Sequence, residues 1–373
     1  MNNTTRAAAV AGAVLAATAT TAGPASASTR HHPAGGVFVQ TNALDGNSIV
    51  AFDEHLHALA TYSTGGRGGL QTGAAADPLA SQGSLTLDRE HGLLYAVNAG
   101  SNTITVFAVR GARLTRLQVT GSGGVFPTSV AVHGNLVYVL NTRDGGSVQG
   151  FRRIGDRLVR VPSWHRSLGL DATATPEFTH SAGQVAFTPD GRHLLITTKA
   201  NTNEILAFGV DHTGGLTLAA AHNVEAGAVP FAAAFDRWGH AVVAEAGPNA
   251  AATFSVHHDG RLTALSSSPT GGAATCWIVG VNGVFYLSNA GSATISAFRT
   301  RADGSLESLG AEATDGPGAV DATVSPDGRT LYAQTGGGTD GVTKFTIARD
   351  GRLHRASSTT VPGGANSEGI AAF

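Results

Sequence analysis

Seven short segments of this chain, laid over one another, end at Asn42, Asn98, Asn141, Thr198, Glu245, Asn289 and Thr335. Asparagine suits such a position because its side chain bonds nearby backbone and tolerates left-handed conformations. Glu245, and Lys199 beside Thr198, break the pattern, and places where a local rule fails are the first to consider for function. Lys199 is one of two lysines in a chain that otherwise uses arginine, the other being Lys344. Its ammonium could hold a carboxylate or polarise a carbonyl, or be a solvated loop charge. Glu245 could take a proton from water, or pair with an arginine such as Arg143. His180, in a long connection, is the best placed histidine for acid–base work. These three form the candidate catalytic set, with Gln184, Arg143, Asp321 and Trp277 as candidate ligand-binding residues.

The remaining chemistry is thin. Cys276, beside Trp277, is the only cysteine, so no intrachain disulfide can form. A lone cysteine with no histidine near it in sequence reads as a small apolar residue. The chain has no G-x-S-x-G and no H-E-x-x-H. His31-His32 and His257-His258 lack the dispersed carboxylates of a metal site, so neither a required metal nor a cofactor is expected.

The elements that must position these residues are strands. Gln184 to Val224 reads as four short runs rich in Val, Ile, Leu, Phe and Thr, separated by Pro189-Asp190-Gly191-Arg192, an Asn/Thr loop and a Gly-Gly turn. That is a four-stranded antiparallel meander. The third run of each copy ends in Phe52, Phe107, Phe151, Phe208, Phe254, Phe298 or Phe345. Seven copies of this kind make an all-β, seven-bladed β-propeller. The first copy lacks an inner strand, and Gly369 to Phe373 supplies one, so the C-terminal strand should complete blade one and close the ring.

The Asp-Gly turns that join first to second and third to fourth strands lie on one face, leaving it little room for a site. The opposite face carries two long crossings, Thr64 to Ala80 and Ser163 to Ser181, where a binding site is expected at the mouth of the central channel. Gln184 and Asp321 fall on first strands, which line that channel, at polar positions that need partners or water.

Residues 1–27 have Arg6, an apolar run and Ala25-Ser26-Ala27, the pattern of a cleaved secretory signal peptide. Residues 28–35 then form a short tail and 36–373 a single propeller domain. A net charge of −2, with 13 % charged residues and no basic run, argues against nucleic acid or an anionic membrane as partner. A secreted monomer without a membrane span, acting on a small molecule, is expected.

The runs SPDGRTLYA, TPDGRHLLITTKANTNEILAF and ATCWIVG followed by FYLSNAGSATISAF resemble the lactonase-type seven-bladed propellers, the family that includes 6-phosphogluconolactonase and carboxymuconate cyclases. The likeness covers residues 36–373. It implies a hydrolase that opens a lactone or similar cyclic ester. Phosphogluconolactonase-like members carry a His before PDGR and an Asp-containing loop after the second strand. Gln184 and Thr198-Lys199 stand there instead, which keeps open a non-catalytic propeller that binds a small carbohydrate, an acidic metabolite or a protein.

Overall fold

Short runs of β-branched and aromatic residues between Gly- and Asp-rich turns have one favourable outcome, strands that bury an apolar face against the next copy. In the computed structural model, which describes residues 1–2, 35–338 and 340–373, they form seven four-stranded antiparallel sheets. The leader and the His31-His32 pair lie outside the described residues. Blade two is typical: Leu85–Asp88 is innermost, followed outward by Leu93–Asn98, Thr103–Arg110 and Arg113–Gly121. Among the described residues the one α-helical turn is Glu177–His180.

The signature phenylalanines are the core between blades, none more than 3 % exposed. In six of the seven blades the pairing of third and fourth strands shifts register next to this phenylalanine, a bulge that increases local twist. Two tyrosines of the second strands tie neighbouring blades together. The Tyr138 hydroxyl donates to Gly214 O at 2.7 Å, and that of Tyr286 to Gly351 O at 2.9 Å.

Ile370–Ala372 pairs with Gly36–Gln40 as the inner strand of blade one. Ile370 and Ala372 pack with Tyr332 and Val342 of blade seven, while Ala371 packs with Leu85 and Leu94 of blade two. The last strand thus joins both neighbours and completes the ring.

The crossing from blade one to blade two lies over the loop face and fills the expected channel mouth. Gly69 exchanges two hydrogen bonds with the Asn42 side chain of blade one. Gln71 meets Thr142 of blade three and Ser181 of the blade-four crossing. Ala76 sits so close to Gly336 of blade seven that a β-carbon there would come within 2.2 Å of its carbonyl oxygen. Asp77 turns the backbone by accepting from the N–H groups of Leu79, Ala80 and Ser81 at 2.8–2.9 Å. Beyond this turn, Ser81 O accepts from Trp277 Nε1 at 2.8 Å, and the Gln82 amide makes two 2.8 Å bonds with the backbone of Ile278, both in blade six. Lys199, on blade four, is 1 % exposed and donates to Ala80 O at 2.7 Å, Phe178 O at 2.6 Å and Ser181 Oγ at 2.9 Å.

Two predictions follow from these contacts. Deleting Gly369 to Phe373 removes a paired strand and the burial of Ile370, and should cost roughly 3–5 kcal/mol in denaturant unfolding. Replacing Lys199 by Met leaves buried acceptors and the Asp77 carboxylate without their cation. The same measurement should show a loss of about 3–5 kcal/mol, while Lys344→Met, at a partly exposed outer position, should stay within about 0.5 kcal/mol.

Candidate functional site

The residues singled out by type and spacing fall into four different surroundings. Lys199 and Trp277 belong to the plug just described. Trp277 is 3 % exposed and lies against Phe231, with ring centroids 5.0 Å apart. Burial pulls the Lys199 ammonium below its ordinary range, and the nearby Asp77 carboxylate opposes that pull. Three acceptors around one Nζ use all the donors an ammonium has.

Around the plug lies a set of enclosed carboxyls that sequence reasoning had not connected. Burial raises Glu368 well above its usual range, and the Asp77 and Asp321 carboxylates raise it further. Asp77 is raised by burial too, but the Glu368 side chain, the Lys199 charge and the Ala80 and Ser81 N–H groups favour its ionised form. Burial among carboxylates therefore favours the protonated form of Glu368, whose oxygens have no hydrogen-bond partner among the described residues, while Lys199 offsets the Asp77 charge. Glu368 lies four residues from Gly364 and has no motif around it; the Asp77 carboxylate that acts on it is 291 positions away, a separation no local pattern reveals.

Gln184 and Asp321 line an axial cavity of about 340 Å³ that runs beside the inner strands from Gln82 to Arg89, toward the tight-turn face. The expectation of an axial mouth on the long-loop face is corrected by the plug, and the open part of the channel lies on its other side. Gln184 Oε1 accepts from Ala233 N at 2.6 Å, so this side chain stitches blade four to blade five. Burial raises Asp321, whose Oδ1 accepts from Ala322 N.

Arg143 and His180 do share a cavity, one of about 790 Å³ on the loop face, walled by residues 170–177 and by Thr72, Gly73 and Thr142. Arg143 pairs with Glu177 rather than Glu245: Nε donates to Oε1 at 2.6 Å and Nη2 to Oε2 at 3.2 Å. Nη2 also donates to Leu70 O at 3.1 Å, and the guanidinium lies 3.9 Å over the Phe126 ring. These contacts hold the group rigidly while Nη1 keeps no protein acceptor among the described residues. Burial works against the Glu177 carboxylate, yet Arg143 and the Thr72 N–H hold it below the ordinary range.

His180 ends the helical turn, and its Nδ1 lies 3.0 Å from Pro176 O and 2.9 Å from Thr179 Oγ1. A carbonyl oxygen only accepts, so the neutral ring carries its proton on Nδ1 and leaves the Nε2 lone pair available. The cavity thus offers one base and one fixed hydrogen-bond donor, the pair needed to activate water and to stabilise an oxyanion.

Glu245 lies elsewhere, in a cleft of about 460 Å³ that also includes Glu225. Burial and the Glu225 charge push its carboxyl up to about 7. Burial pushes the Cys276 thiol up to about 12, away from the thiolate form a nucleophile uses. Among the described residues no group of three or more His, Cys, Asp and Glu is placed to hold a metal ion, and no helix is long and apolar enough to cross a membrane.

Residues 237–367 match the family model described as "Lactonase, 7-bladed beta-propeller". Among curated proteins none matches the chain. Its fold is similar to that of a candidate 6-phosphogluconolactonase of Bacteroides fragilis, at 16 % identity and TM-score 0.69 over 92 % of this chain and 99 % of that one. The periplasmic gluconolactonase of Pseudomonas aeruginosa has 16 % identity and TM-score 0.70, over 90 % and 98 % of the two chains. A protein of Lactobacillus plantarum has 20 % identity and TM-score 0.69, over 89 % and 98 %. The architecture makes this chain a seven-bladed β-propeller, and its residues 237–367 are similar to the lactonase family model.

Proposed function

We propose that this protein is an exported hydrolase that opens a lactone or similar cyclic ester in the loop-face cavity of Arg143 and His180. The observation that carries the reading is their combination in one cavity: a histidine whose tautomer leaves Nε2 free, and a clamped guanidinium with an unused arm.

In this reading a water molecule attacks the lactone carbonyl while His180 Nε2 takes its proton. Negative charge develops on the carbonyl oxygen, and Arg143 Nη1 is the donor positioned to bind it. When the tetrahedral intermediate collapses, the ring C–O bond breaks. The departing alkoxide takes the proton back from His180, giving a hydroxy acid and the starting enzyme. Lys199 contributes as a positioning residue, because its bonds to Phe178 O and Ser181 Oγ hold the segment that carries His180. Glu245 is not part of this constellation, since it lines the separate cleft.

The family features absent at Gln184 and Thr198-Lys199 are consistent with a site beside the channel. Gln184 joins two blades, and Lys199 anchors the plug. Export follows from the leader pattern, and sequencing extracellular protein should find a start near Ser28.

Acid release from a panel of aliphatic and sugar lactones tests the activity. With the best substrate, His180→Gln should lower kcat by about a hundredfold or more with unchanged thermal unfolding. Arg143→Met should lower kcat on a similar scale. Turnover within a few-fold of wild type in both variants would move the site elsewhere on the disc. Ligand binding without hydrolysis of any lactone would leave a binding propeller.

A further inference from the structure

A three-part arrangement occurs at two of the places where one blade meets the next. It combines the residue at the start of the crossing, the last residue of the second strand, and the residue two places before the signature phenylalanine. Between blades one and two these are Thr64, Asn98 and Thr105. The Asn98 amide donates to Thr105 Oγ1 at 2.9 Å, and Thr105 Oγ1 to Thr64 O at 2.9 Å. Between blades five and six they are Thr270, Asn289 and Ser296, with matching bonds of 2.9 Å and 3.0 Å.

Between blades four and five all three positions differ. Glu225 begins the crossing, and its N–H donates to Asn203 O just as that of Thr64 donates to Asn47 O. Glu245 ends the second strand, and Ala252 stands where Thr105 and Ser296 stand. The hydroxyl that would meet the strand-end side chain is gone, and a methyl group leaves open the 460 Å³ cleft. Glu245 is 7 % exposed, and neither its carboxyl nor that of Glu225 has a hydrogen-bond or ion-pair partner among the described residues. A carboxyl buried to this extent without a partner is costly. Here it borders a cleft that a ligand can enter. The other walls carry Pro248, Phe254 and Leu265, with Ser266 and Ser267 beside them.

We propose that this cleft binds an organic ammonium ion, its charged head between Glu225 and Glu245 and its hydrocarbon body against Phe254 and Leu265. A cation supplies the charge that two unpaired carboxylates lack, and an N–H donor satisfies Glu245. A bare divalent ion fits poorly, because no third His, Cys, Asp or Glu converges on the pair among the described residues. The inference is independent of the lactone reading, which uses a different cavity.

Glu225 is the one charged group that acts appreciably on Glu245. Ionised Glu245 is present above about 7 and is replaced by the neutral acid below it, so the cation should bind more weakly as pH falls. Calorimetric titration of the full chain with n-butylammonium, with n-butanol and calcium as controls, tests this at about pH 8 and about pH 5. Expected are saturable butylammonium binding at the higher pH, a loss of about tenfold or more at the lower, and no comparable binding of either control. Glu245→Gln should abolish the binding while leaving the fold intact. The variant Glu225→Thr with Glu245→Asn and Ala252→Thr, which copies the hydrogen-bonded arrangement found between blades one and two, should bind no butylammonium and unfold at a higher temperature than wild type. Absence of butylammonium binding in the wild type, equal affinity for n-butanol, tighter binding of calcium, or unchanged binding in Glu245→Gln would each overturn the proposal.

Discussion

A single buried ammonium organises the loop face of this disc. Lys199 reaches from blade four to the carbonyl of Ala80 and to the segment before blade four, joining the two long connections from below. Asp77, a few residues from Ala80, is both the turn that shapes the plug and the carboxylate that offsets the Lys199 charge. Taking a cation out of water is expensive, and the cost is met only when every donor is used and an opposite charge is near. The constraint works in both directions. The plug exists because Lys199 is satisfied, and Lys199 can be buried because the plug brings it acceptors.

With the axis filled, open space is displaced to the sides. The axial cavity remains below the plug, the Arg143–His180 cavity lies between the two long crossings, and the Glu225–Glu245 cleft lies between blades four and five. Three glutamates show how far surroundings separate side chains of one type. Glu177 is held ionised by a bidentate arginine, Glu368 is kept protonated by burial among other carboxyls, and Glu245 is placed near neutrality by burial without a partner. Only the last two depart from ordinary behaviour in the direction of a proton carrier. Of these, Glu245 alone borders one of the three cavities.

Repetition is what makes such departures readable. Where two other interfaces hold an asparagine and a hydroxyl in hydrogen-bonded register, a glutamate and an alanine in the same register have a physical consequence, an open cleft with an unpaired charge. Lys199 breaks the same pattern and does something else, because the chain that passes above it supplies three acceptors. A broken repeat therefore marks a position under separate constraint without saying whether that constraint is stability or binding.

The sequence by itself determined the number of blades, the four strands of each, the turns on one face and the completion of blade one by the last residues. All of these follow from local periodicity, turn chemistry and the spacing of the phenylalanines. It also identified Glu245, Lys199 and His180 as unusual. Only the tertiary structure decided their surroundings, because the deciding partners are distant in the chain. Trp277 meets Ser81 across 196 positions, Lys199 meets Ala80 across 119, and Arg143 meets Glu177 across 34. The Gly- and Ala-rich crossing from Thr64 to Ala80 looks like an ordinary surface loop, since its role depends on backbone carbonyls and on small side chains that let it approach other blades. Backbone acceptors carry no residue-type signature, so the filling of the channel became visible only once the blades were in place.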